Sequence, residues 1–389
     1  MARRVRGEGS VFKYWDKKAN VYRWKVQITL EDGSQKQYRV KNQEEGRDLL
    51  RKLQRDMEQG RLVTGPKQTV KQYMEYWIEE VHKSSVKVST YVKYRKTINT
   101  HINPVLGHLT LDKLTPQHVK SLYNKREKEG LAPKTIHSIH GVLHKALANA
   151  VEWGLVGRNV CDVVKPPRLV RKKKQSLTLE QAQKLLESVR GQRLEMVLTL
   201  ALVTGMRRGE LVALRWSDVV LEARTLYVNR TVDYINGYGY VVSEPKTEAG
   251  WRSIMLPVFA VEMLEHYKIE QDEARAQAGS VWEDLDLVIT GLNGGYFNPR
   301  YLSKVFSKLV ANLGLPRISF HGLRHSAATL LRSMGVDIKL IQEILGHSSF
   351  LITADVYSHV LPTQQKEAAD KWDDVFGEDD EEQDGTDID

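Results

Sequence analysis

The sequence predicts a mainly α-helical chain with small β elements. We expect an N-terminal three-stranded sheet with one helix, then a helical bundle, then a mixed, mainly α domain containing a β-hairpin sheet. Residues 21–30 alternate between apolar and polar side chains, which is the period of a half-buried strand. From residue 69 onward, apolar residues recur at helical spacing behind residues that commonly cap helices. The otherwise helical C-terminal half has one predicted β segment, with strands over 226–232 and 238–256 and a strong hairpin signal at Asn236-Gly237.

The first predicted domain, residues 1–65, is a small sheet backed by one helix. A turn at 31–33 connects the alternating strand to a second strand, and a shorter strand near 11–14 precedes both. A helix capped by Asn42 closes the domain. The apolar stripe of this helix consists of Leu49, Leu50, Leu53 and Met57.

One face of this sheet is polar and basic, because Arg23, Lys25 and Gln27 alternate with the apolar residues of the strand. A two- or three-stranded sheet can enter the major groove of DNA, so this face is a candidate DNA-reading surface. An ordinary solvated face explains the same pattern equally well.

The second predicted domain, residues 66–165, is helical. A capping box at Thr69 opens its first helix, and residues 134–153 carry the spacing of its last. A helix near 90–99 is rich in basic residues, which suits contacts with phosphates. Charge runs on helices are more often only solvated. The basic residues considered for DNA contact are Lys93, Arg95 and Lys96.

A basic linker is predicted at residues 166–175, because paired prolines end helices and a run of charges resists burial. Its candidates for contact with a DNA backbone are Arg171, Lys172, Lys173 and Lys174. A capping box at Thr178 then opens the third, mainly helical domain, residues 176–377. Residues 378–389 form an acidic tail, which we expect to be disordered.

Composition narrows the function classes. The net charge is +9, but residues 373–389 hold ten Asp and Glu and no Lys or Arg, so the rest of the chain carries about +19. A chain with this much positive charge attracts polyanions, and the most common polyanion that proteins bind is nucleic acid. No apolar run approaches the roughly 20 residues of a membrane span. Cys161 is the single cysteine, so no intrachain disulfide can form and a cytoplasmic protein is expected.

Four separated segments of the third domain carry side chains suited to attack on a phosphodiester. Taken singly, each has a structural explanation. Gly205 and Gly346 can cap helices, Arg207 and Glu210 can form an i,i+3 pair, the hairpin lysine can simply be exposed, and His347 lies just past a helix end. If residues 321–324 are helical, His321 and Arg324 share one face. Taken together, they supply every group that the reaction needs. The candidates are Arg207, Glu210, Lys246, His321, Arg324, His347 and Tyr357.

The chemistry assigns a role to each residue type. Two arginines can make bidentate contacts to the non-bridging oxygens and hold the charge that grows in the transition state. A tyrosine oxygen is a competent nucleophile once it is positioned and deprotonated. A lysine on a hairpin can protonate the leaving 5′-oxygen. No cluster of Asp and Glu at metal-ligand spacing accompanies these residues, which disfavours a two-metal nuclease.

The segments TGMRRGEL, EPKTEAG, HGLRH, LGHSS and DVYSHV, in this order, resemble the tyrosine recombinase (phage integrase) family. Residues 66–165 are similar to the family's core-binding domain, and residues 1–65 resemble the arm-type DNA-binding domain of integrases from phages and conjugative transposons. The resemblance implies that Tyr357 is the nucleophile, that Lys246 is the general acid, and that Glu210 supports the first arginine. It assigns binding of the scissile phosphate to Arg207, His321, Arg324 and His347.

The resemblance also implies a biological setting. It predicts a site-specific recombinase that forms a 3′-phosphotyrosyl intermediate and a Holliday junction, and that integrates and excises a mobile element such as a viral genome. Its partners would be double-stranded DNA at core and arm sites and three further copies in a homotetramer, with no metal or nucleotide cofactor and no membrane.

Several points stay open. They are the attachment sites, a phage or a transposon origin, and the participation of an excision factor and a host DNA-bending protein. The expected location is the cytoplasm of a bacterial host, at the nucleoid. A type IB topoisomerase-like enzyme and a non-catalytic DNA-binding regulator are the alternatives.

Overall fold

The structure, a computed structural model, divides into two compact units at residues 171 and 172. In the described residues both units are mainly helical with short antiparallel sheets, which confirms the predicted fold class. The candidates Lys246, His347 and Tyr357, the linker cations at 171–174 and the acidic tail lie outside the described residues. The described ranges are 9–17, 19–30, 35–58, 67–169, 175–245 and 248–346.

The N-terminal part of the first unit is a three-stranded antiparallel sheet, paired in sequence order, with a helix packed on one face. Its elements are β1 (Gly9–Asp16), β2 (Val21–Thr29), β3 (Gln35–Val40) and α1 (Gln43–Glu58). The predicted helix cap is confirmed, since the Glu45 amide donates to Asn42 Oδ1 at 2.8 Å. The Glu45 carboxylate in turn accepts a hydrogen bond from the Lys41 amide at 2.9 Å.

The register of this sheet separates an apolar face from a polar one. Val26 lies between Val11 of β1 and Tyr38 of β3, and all three pack with Leu53 of α1. Side chains at the alternate positions of each strand point to the other face, away from this core. Tyr22, which the alternation groups with the buried residues, is instead exposed and lies edge-on against Trp15 at the end of the hairpin.

The rest of the first unit is a helical bundle with a hydrophobic core of its own. The capping box predicted at Thr69 is formed, and a second one at Thr115 opens a later helix. Trp77 is fully buried in the core, where its indole N–H donates to Asn149 Oδ1 at 2.8 Å. The helices are α2 (Val70–Tyr76), α3 (Val88–Thr97), α4 (Asn103–Leu106), α5 (Pro116–Lys128) and α6 (Pro133–Glu152). Shorter segments are π-helical at Trp77–His82 and Ile98–Ile102, and 3₁₀ at Leu111–Lys113 and Val160–Val163.

The second unit packs its helices around the largest hydrophobic cluster of the described residues. Helix α8 is apolar on every side, and its residues 196–202 are buried; α12 packs directly against it. Further 3₁₀ turns lie at Trp216–Asp218, Glu248–Gly250 and Gly279–Val281. The helices are α7 (Leu179–Glu187), α8 (Glu195–Thr204), α9 (Arg208–Leu211), α10 (Val258–Ala278), α11 (Pro299–Asn312), α12 (Phe320–Ser333) and α13 (Ile338–Leu345).

The β segment of the second unit is divided more finely than the sequence predicts. In place of two long strands over 226–232 and 238–256, there are a three-stranded sheet in the order β4-β5-β8 and a separate hairpin, β6-β7. The division follows from Asp218, which is buried and accepts hydrogen bonds from the side chains of Asn229 and Arg230 between β5 and β6. The strands are β4 (Val219–Val220), β5 (Thr225–Val228), β6 (Thr231–Ile235), β7 (Gly239–Ser243) and β8 (Arg252–Met255).

The hairpin turn predicted at Asn236-Gly237 is confirmed. Ile235 pairs with Gly239 across a three-residue loop, and Gly237 adopts φ +84°, a left-handed conformation that suits glycine. Because β5 is paired with β8, the chain from 229 to 251 leaves the sheet and returns to the neighbouring strand. This excursion contains Lys246.

The described residues contain one hydrophobic cluster in the sheet part, one in the helical bundle, and a large and a small one in the second unit. The division into three domains stays a prediction. No helix in the described ranges is long and apolar enough to span a bilayer.

Candidate active site

Three arginines of the second unit meet at the C-terminal end of α13. The helix ends at Leu345, and Gly346 follows in the left-handed conformation (φ +62°, ψ +54°), which confirms the predicted helix cap. Carbonyl groups in the last turn of a helix lack partners within the helix. Here three consecutive carbonyl groups each accept a hydrogen bond from a guanidinium. The pairs are Arg252 Nε with Ile344 O at 2.7 Å, Arg324 Nη2 with Leu345 O, and Arg207 Nη2 with Gly346 O at 3.2 Å.

Arg207 stands at the start of α9, and its side chain is 41% exposed. The predicted pair with Glu210 is confirmed, because Arg207 Nη1 lies 2.7 Å from Glu210 Oε1. The Arg207 backbone N–H also donates to Glu210 Oε2 at 2.9 Å, so the carboxylate fixes both ends of the residue. The Arg207 guanidinium is held by Glu210 on one side and is exposed on the other, so part of it is accessible to a substrate.

A close approach at Gly205 places Arg207 beside α13. Gly205 ends α8 with φ +60°, as the sequence predicts for a helix cap. A Cβ atom at this position would collide with the end of the Leu345 side chain, and the left-handed backbone would strain any other residue, so glycine suits this junction.

Glu210 is buried, with 4% of its side chain exposed, and it is shared by two cations. Its Oε2 accepts a hydrogen bond from Arg252 Nη2 at 2.9 Å. Burial alone would raise the pKa of Glu210, but the charge and hydrogen bond of Arg252, together with Arg207, bring the pKa below its ordinary value. The carboxylate is therefore ionised at neutral pH.

Arg324 is the most buried of the three arginines, with 2% of the residue exposed. It extends from α12, and its Nη1 donates to the Gly205 carbonyl at 2.9 Å. Burial, and then the neighbouring charges of Arg207 and Arg252, lower the pKa of Arg324 to about 9. Positive charges held this close together repel one another, and an anion placed among them would relieve that repulsion.

His321 begins the same helix one turn before Arg324. The sequence predicts that the two share a face, and the structure places His321 at the exposed edge of that face while Arg324 points inward. The His321 ring lies edge-on against the buried ring of His325, with the centroids 5.2 Å apart.

The structure thus brings together three of the sequence candidates, Arg207, Glu210 and Arg324. Lys246, His347 and Tyr357 lie outside the described residues, but segments next to two of them are in contact. Gly346, which precedes His347, packs so tightly against the turn after Lys246 that a Cβ atom on Gly346 would collide with the Ala249 carbonyl oxygen.

The polar face of the N-terminal sheet carries the first set of DNA-contact candidates. Arg23 forms an ion pair with Asp16 at 3.2 Å. Lys25 lies over the ring of Tyr14, 4.2 Å from its centroid, and donates to the Gln37 side chain at 3.2 Å. The amide of Gln27 joins side-chain hydrogen bonds with the glutamines of β3. The three candidates therefore belong to one connected polar surface.

The second set lies on α3, where Lys93, Arg95 and Lys96 are all exposed. Lys93 and Lys96 are three residues apart and share a helical face. Arg95 points to another side, where it forms an ion pair with Glu79 at 3.3 Å.

Sequence reasoning missed Arg252, which the structure places at the centre of the site. A signal for it was available. Arg252 lies two residues before the buried Ile254 in β8, and residues two apart in a strand point to the same face, so Arg252 occupies an inward-facing position. An arginine at such a position requires a buried acid as its partner. In the described parts of the chain, no group of three or more His, Cys, Asp or Glu side chains is placed to hold a metal ion.

Comparison with known proteins gives the family. The phage integrase family model matches residues 175–364, and a phage integrase N-terminal SAM-like domain model matches residues 69–126. A tyrosine recombinase XerC-like protein of Caldanaerobacter subterraneus subsp. tengcongensis is 30% identical over 326 residues, covering 79% of this chain and 83% of the relative. The chain belongs to the phage integrase family of tyrosine recombinases. It is an enzyme that cleaves and rejoins DNA.

Other relatives of the recombinase include mobile-element integrases. The ICEBs1 integrase of Bacillus subtilis is 30% identical over 292 residues, covering 75% of this chain and 79% of the relative. The fold is similar to that of the Tn1549 transposon integrase in complex with transposon right end DNA, with a TM-score of 0.66 and 22% identity over 78% of this chain and 99% of that chain. A lambda integrase dimer bound to a core site gives a TM-score of 0.56 at 18% identity, over 88% and 93% of the two chains.

Replacing Glu210 by glutamine should destabilise the recombinase in a pH-dependent way. Removing one partner of a buried ion pair typically costs about 3–5 kcal/mol. Because the pKa of Glu210 is lowered in the folded state, its contribution to stability is fully present above its ordinary pKa of 4.5 and is lost as the pH falls through the lowered value. The free energy of unfolding is measured by denaturant for the wild type and Glu210→Gln at about pH 7 and about pH 3. The difference between the two proteins should be smaller at about pH 3 than at about pH 7.

Asp233→Asn is the matched control, because Asp233 is a half-exposed acid that lies 3.9 Å from the neighbouring Arg208. Its unfolding free energy should stay close to that of the wild type at both pH values. A difference between Glu210→Gln and the wild type that is the same at both pH values would contradict the assignment of the shared buried charge.

Proposed function

We propose that this recombinase integrates and excises a mobile DNA element at specific sites, through a 3′-phosphotyrosyl bond to Tyr357 and a Holliday junction. The observation that carries the proposal is the placement of Arg207 and Arg324 at one helix end, from which the chain runs directly into His347. The kinship with the ICEBs1 integrase, and the likeness of the fold to a transposon integrase in complex with transposon DNA, support the mobile-element setting. The tetramer, the accessory proteins and the residue roles below are parts of the same proposal.

The charges at the site suit a phosphoryl transition state. Among the described side chains at the end of α13, three guanidinium groups face one carboxylate, that of Glu210. The cluster therefore holds about two uncompensated positive charges, which match the two negative charges of a five-coordinate phosphorus. Burial lowers the pKa of Arg324 most, and repulsion from Arg207 and Arg252 lowers it further. That repulsion falls as the substrate gains charge, so the site favours the transition state over the ground state.

The proposed reaction needs only groups of the protein and the DNA. The Tyr357 hydroxyl loses its proton and its oxygen bonds to the scissile phosphorus. The bond from phosphorus to the 5′-oxygen breaks, and Lys246 donates a proton to that oxygen. His321 and His347 bind the phosphate together with the arginines. Rejoining reverses the step with the 5′-hydroxyl of another strand as nucleophile, and the phosphotyrosyl bond conserves the energy of the broken diester.

Tyr357→Phe tests the proposed chemistry, because it removes only the attacking oxygen. The variant should bind a nicked core-site duplex with the wild-type dissociation constant in a gel shift, but should form no covalent adduct on a denaturing gel. Tyr301→Phe is the matched control, since Tyr301 is an exposed tyrosine of the same unit, and it should form the adduct normally. An adduct with Tyr357→Phe would exclude Tyr357 as the nucleophile.

We assign arm-type DNA binding to the polar face of the N-terminal sheet. Arg23, Lys25 and Gln27 present guanidinium, ammonium and amide groups on one side of β2, and these are the groups that pair with base edges and phosphates. Gln37 and Arg39 of β3 lie opposite Gln27 and Lys25, so they extend the same surface. Binding of core sites is assigned to Lys93, Arg95 and Lys96 of α3 and to the cations at 171–174.

A double substitution, Arg23→Ala with Lys25→Ala, should weaken binding to arm-type DNA and lower its salt dependence, because each lost phosphate contact reduces the salt slope by about one. Core-site cleavage should be unchanged, and residues 66–389 alone should still cleave core sites. Lys13→Ala is the matched control, since Lys13 is paired with Trp24 and lies on the opposite side of the sheet. Equal losses on arm and core DNA would mean that the sheet belongs to the core-site clamp.

Assembly is proposed to depend on the segment after Tyr357. Ala369, Trp372, Val375 and Phe376 recur at helical spacing, and none is needed for the chemistry. We assign this segment to docking on a neighbouring subunit, which closes a cyclic homotetramer and couples one active site to the next. An excision factor and a host DNA-bending protein are proposed partners, because joining arm and core sites requires bent DNA. The proposed setting is the nucleoid in the cytoplasm of a bacterial host.

Deleting residues 363–389 should leave binding to a single core site nearly intact and should abolish recombination between two sites. Deleting only residues 378–389 is the control, and it should have a much smaller effect because the apolar positions remain. Gel shift and recombination of two-site plasmids give the two measurements. Recombination at the full-length rate by the longer deletion would contradict subunit docking through this segment.

A further inference from the structure

Arg252 is a largely buried arginine of the site, and it has no role in the proposed reaction. It begins β8, and only 6% of its side chain is exposed. Each of its three guanidinium nitrogens donates to a protein acceptor. The pairs are Nη2 with Glu210 Oε2 at 2.9 Å, Nε with Ile344 O at 2.7 Å, and Nη1 with Gly250 O at 3.2 Å. A buried guanidinium engaged in this way supports other groups and does not itself bind a substrate.

We propose that Arg252 is a positioning residue that acts through Glu210, so that Arg207 keeps its orientation and its positive charge for the scissile phosphate. The inference rests on the proposed function, and it deepens that function by adding a residue to the phosphate clamp. It concerns Arg252, Glu210 and Arg207, all of which lie within the described residues.

The orientation argument starts from the two oxygens of Glu210. Oε1 holds the Arg207 side chain at 2.7 Å, while Oε2 receives both the Arg207 backbone N–H and Arg252 Nη2, each at 2.9 Å. Of these three donors, Arg252 Nη2 is the one that does not belong to Arg207, so it restrains the carboxylate independently of Arg207. Without this bond Oε2 keeps a single donor, and the angle at which Oε1 meets the Arg207 guanidinium becomes less well defined.

The charge argument leads to the same conclusion. Glu210 is buried and ionised, and if it faced Arg207 alone it would offset most of the charge that Arg207 offers to a phosphate. Arg252 is a second cation on the same carboxylate, so the three groups together carry one net positive charge. A neutral residue at position 252 would leave an internally compensated pair that attracts the phosphate less strongly.

Arg252 also connects the segments that flank two other candidates. It bonds Gly250, four residues after Lys246, and Ile344, three residues before His347. A Cβ atom on Gly346 would come within 2.9 Å of Arg252 Cδ, so the packing between these segments is tight. Loss of Arg252 could therefore act on Lys246 instead of Arg207, and the experiment must separate these two routes.

Chemically altered DNA separates them. A methylphosphonate at the scissile position replaces one non-bridging oxygen by a methyl group and removes the negative charge that Arg207 stabilises. A 5′-thiolate leaving group departs without a proton, so it removes the need for Lys246. If a variant is slow because Arg207 is misplaced, its rate should lie closer to the wild-type rate on the methylphosphonate than on ordinary phosphate. If it is slow because Lys246 is misplaced, its rate should lie closer to the wild-type rate on the 5′-thiolate.

The measurement is the single-turnover rate of covalent adduct formation at saturating DNA, for wild type and Arg252→Ala on all three substrates. On ordinary phosphate we expect Arg252→Ala to be slower by about 10–100-fold, the scale for removing a residue that orients a directly acting group. The dissociation constant for core DNA should change by less than about threefold, since Arg252 is buried and most of the binding energy comes from other phosphate contacts. On methylphosphonate the rate difference should narrow by about tenfold or more, and on the 5′-thiolate it should stay the same.

Three variants calibrate the result. For Arg207→Ala, the difference in rate from the wild type should be smaller on methylphosphonate than on phosphate. Lys246→Ala should be rescued by the 5′-thiolate. Arg230→Ala breaks another buried ion pair of the second unit, that with Asp218 at 2.6 Å, so any rate change it causes should be the same on all three substrates. Thermal unfolding of each variant measures the loss of stability separately from the loss of rate.

Arg252→Lys keeps the charge but loses the planar fork that reaches three acceptors at once. Its rate should lie between those of the wild type and Arg252→Ala, and its defect should also narrow on methylphosphonate. If Arg252→Ala proves unfolded, this variant carries the comparison.

The outcomes distinguish the inference from the proposed function. If the wild type forms no adduct that depends on Tyr357, the proposed function fails. If that adduct forms and the Arg252 variants react at the wild-type rate, only the inference fails. A defect of equal size on phosphate and methylphosphonate, or one rescued by the 5′-thiolate, would also overturn it.

Discussion

The end of α13 is the constraint on which the rest of the site depends. Three carbonyl groups in succession, those of Ile344, Leu345 and Gly346, would be unsatisfied in an isolated helix and are instead bound by arginines. The negative end of the helix dipole favours cations at this place. The arginines come from β8, from α12 and from the start of α9, so one helix terminus joins three distant parts of the chain.

Holding three cations together costs electrostatic energy, and the structure limits that cost in two ways. Glu210 lies between Arg207 and Arg252, and its lowered pKa keeps it charged. The helix carbonyls supply the remaining acceptors. The residual repulsion is visible in Arg324, where burial and the other two arginines lower the pKa to about 9. Glu210 and the three arginines are thus held in place by protein partners alone, so this described part of the site needs little reorganisation to receive an anion.

Much of this arrangement could be predicted from the sequence, because the relevant signals are local. Gly205 and Gly346 were identified as helix caps, and Arg207 and Glu210 as an i,i+3 pair, from their positions alone. Arg252 could not be placed in the same way, since its partners lie far from it in sequence and its burial depends on the pairing of β8 with β5. The division of the long β segments was missed for a similar reason. It arises from the buried carboxylate of Asp218, a contact that periodicity does not reveal.

The excursion from residue 229 to 251 has a consequence for how this fold varies. Its two ends are fixed next to each other, because Val228 and Arg252 are paired residues of neighbouring strands. Residues added or lost at the far end of β6-β7 would leave that separation unchanged, and doubling the length of a flexible loop costs only about 0.6 kcal/mol in closure entropy. Changes of length at the tip of this hairpin should therefore leave the register of the anchored strand beneath it unchanged.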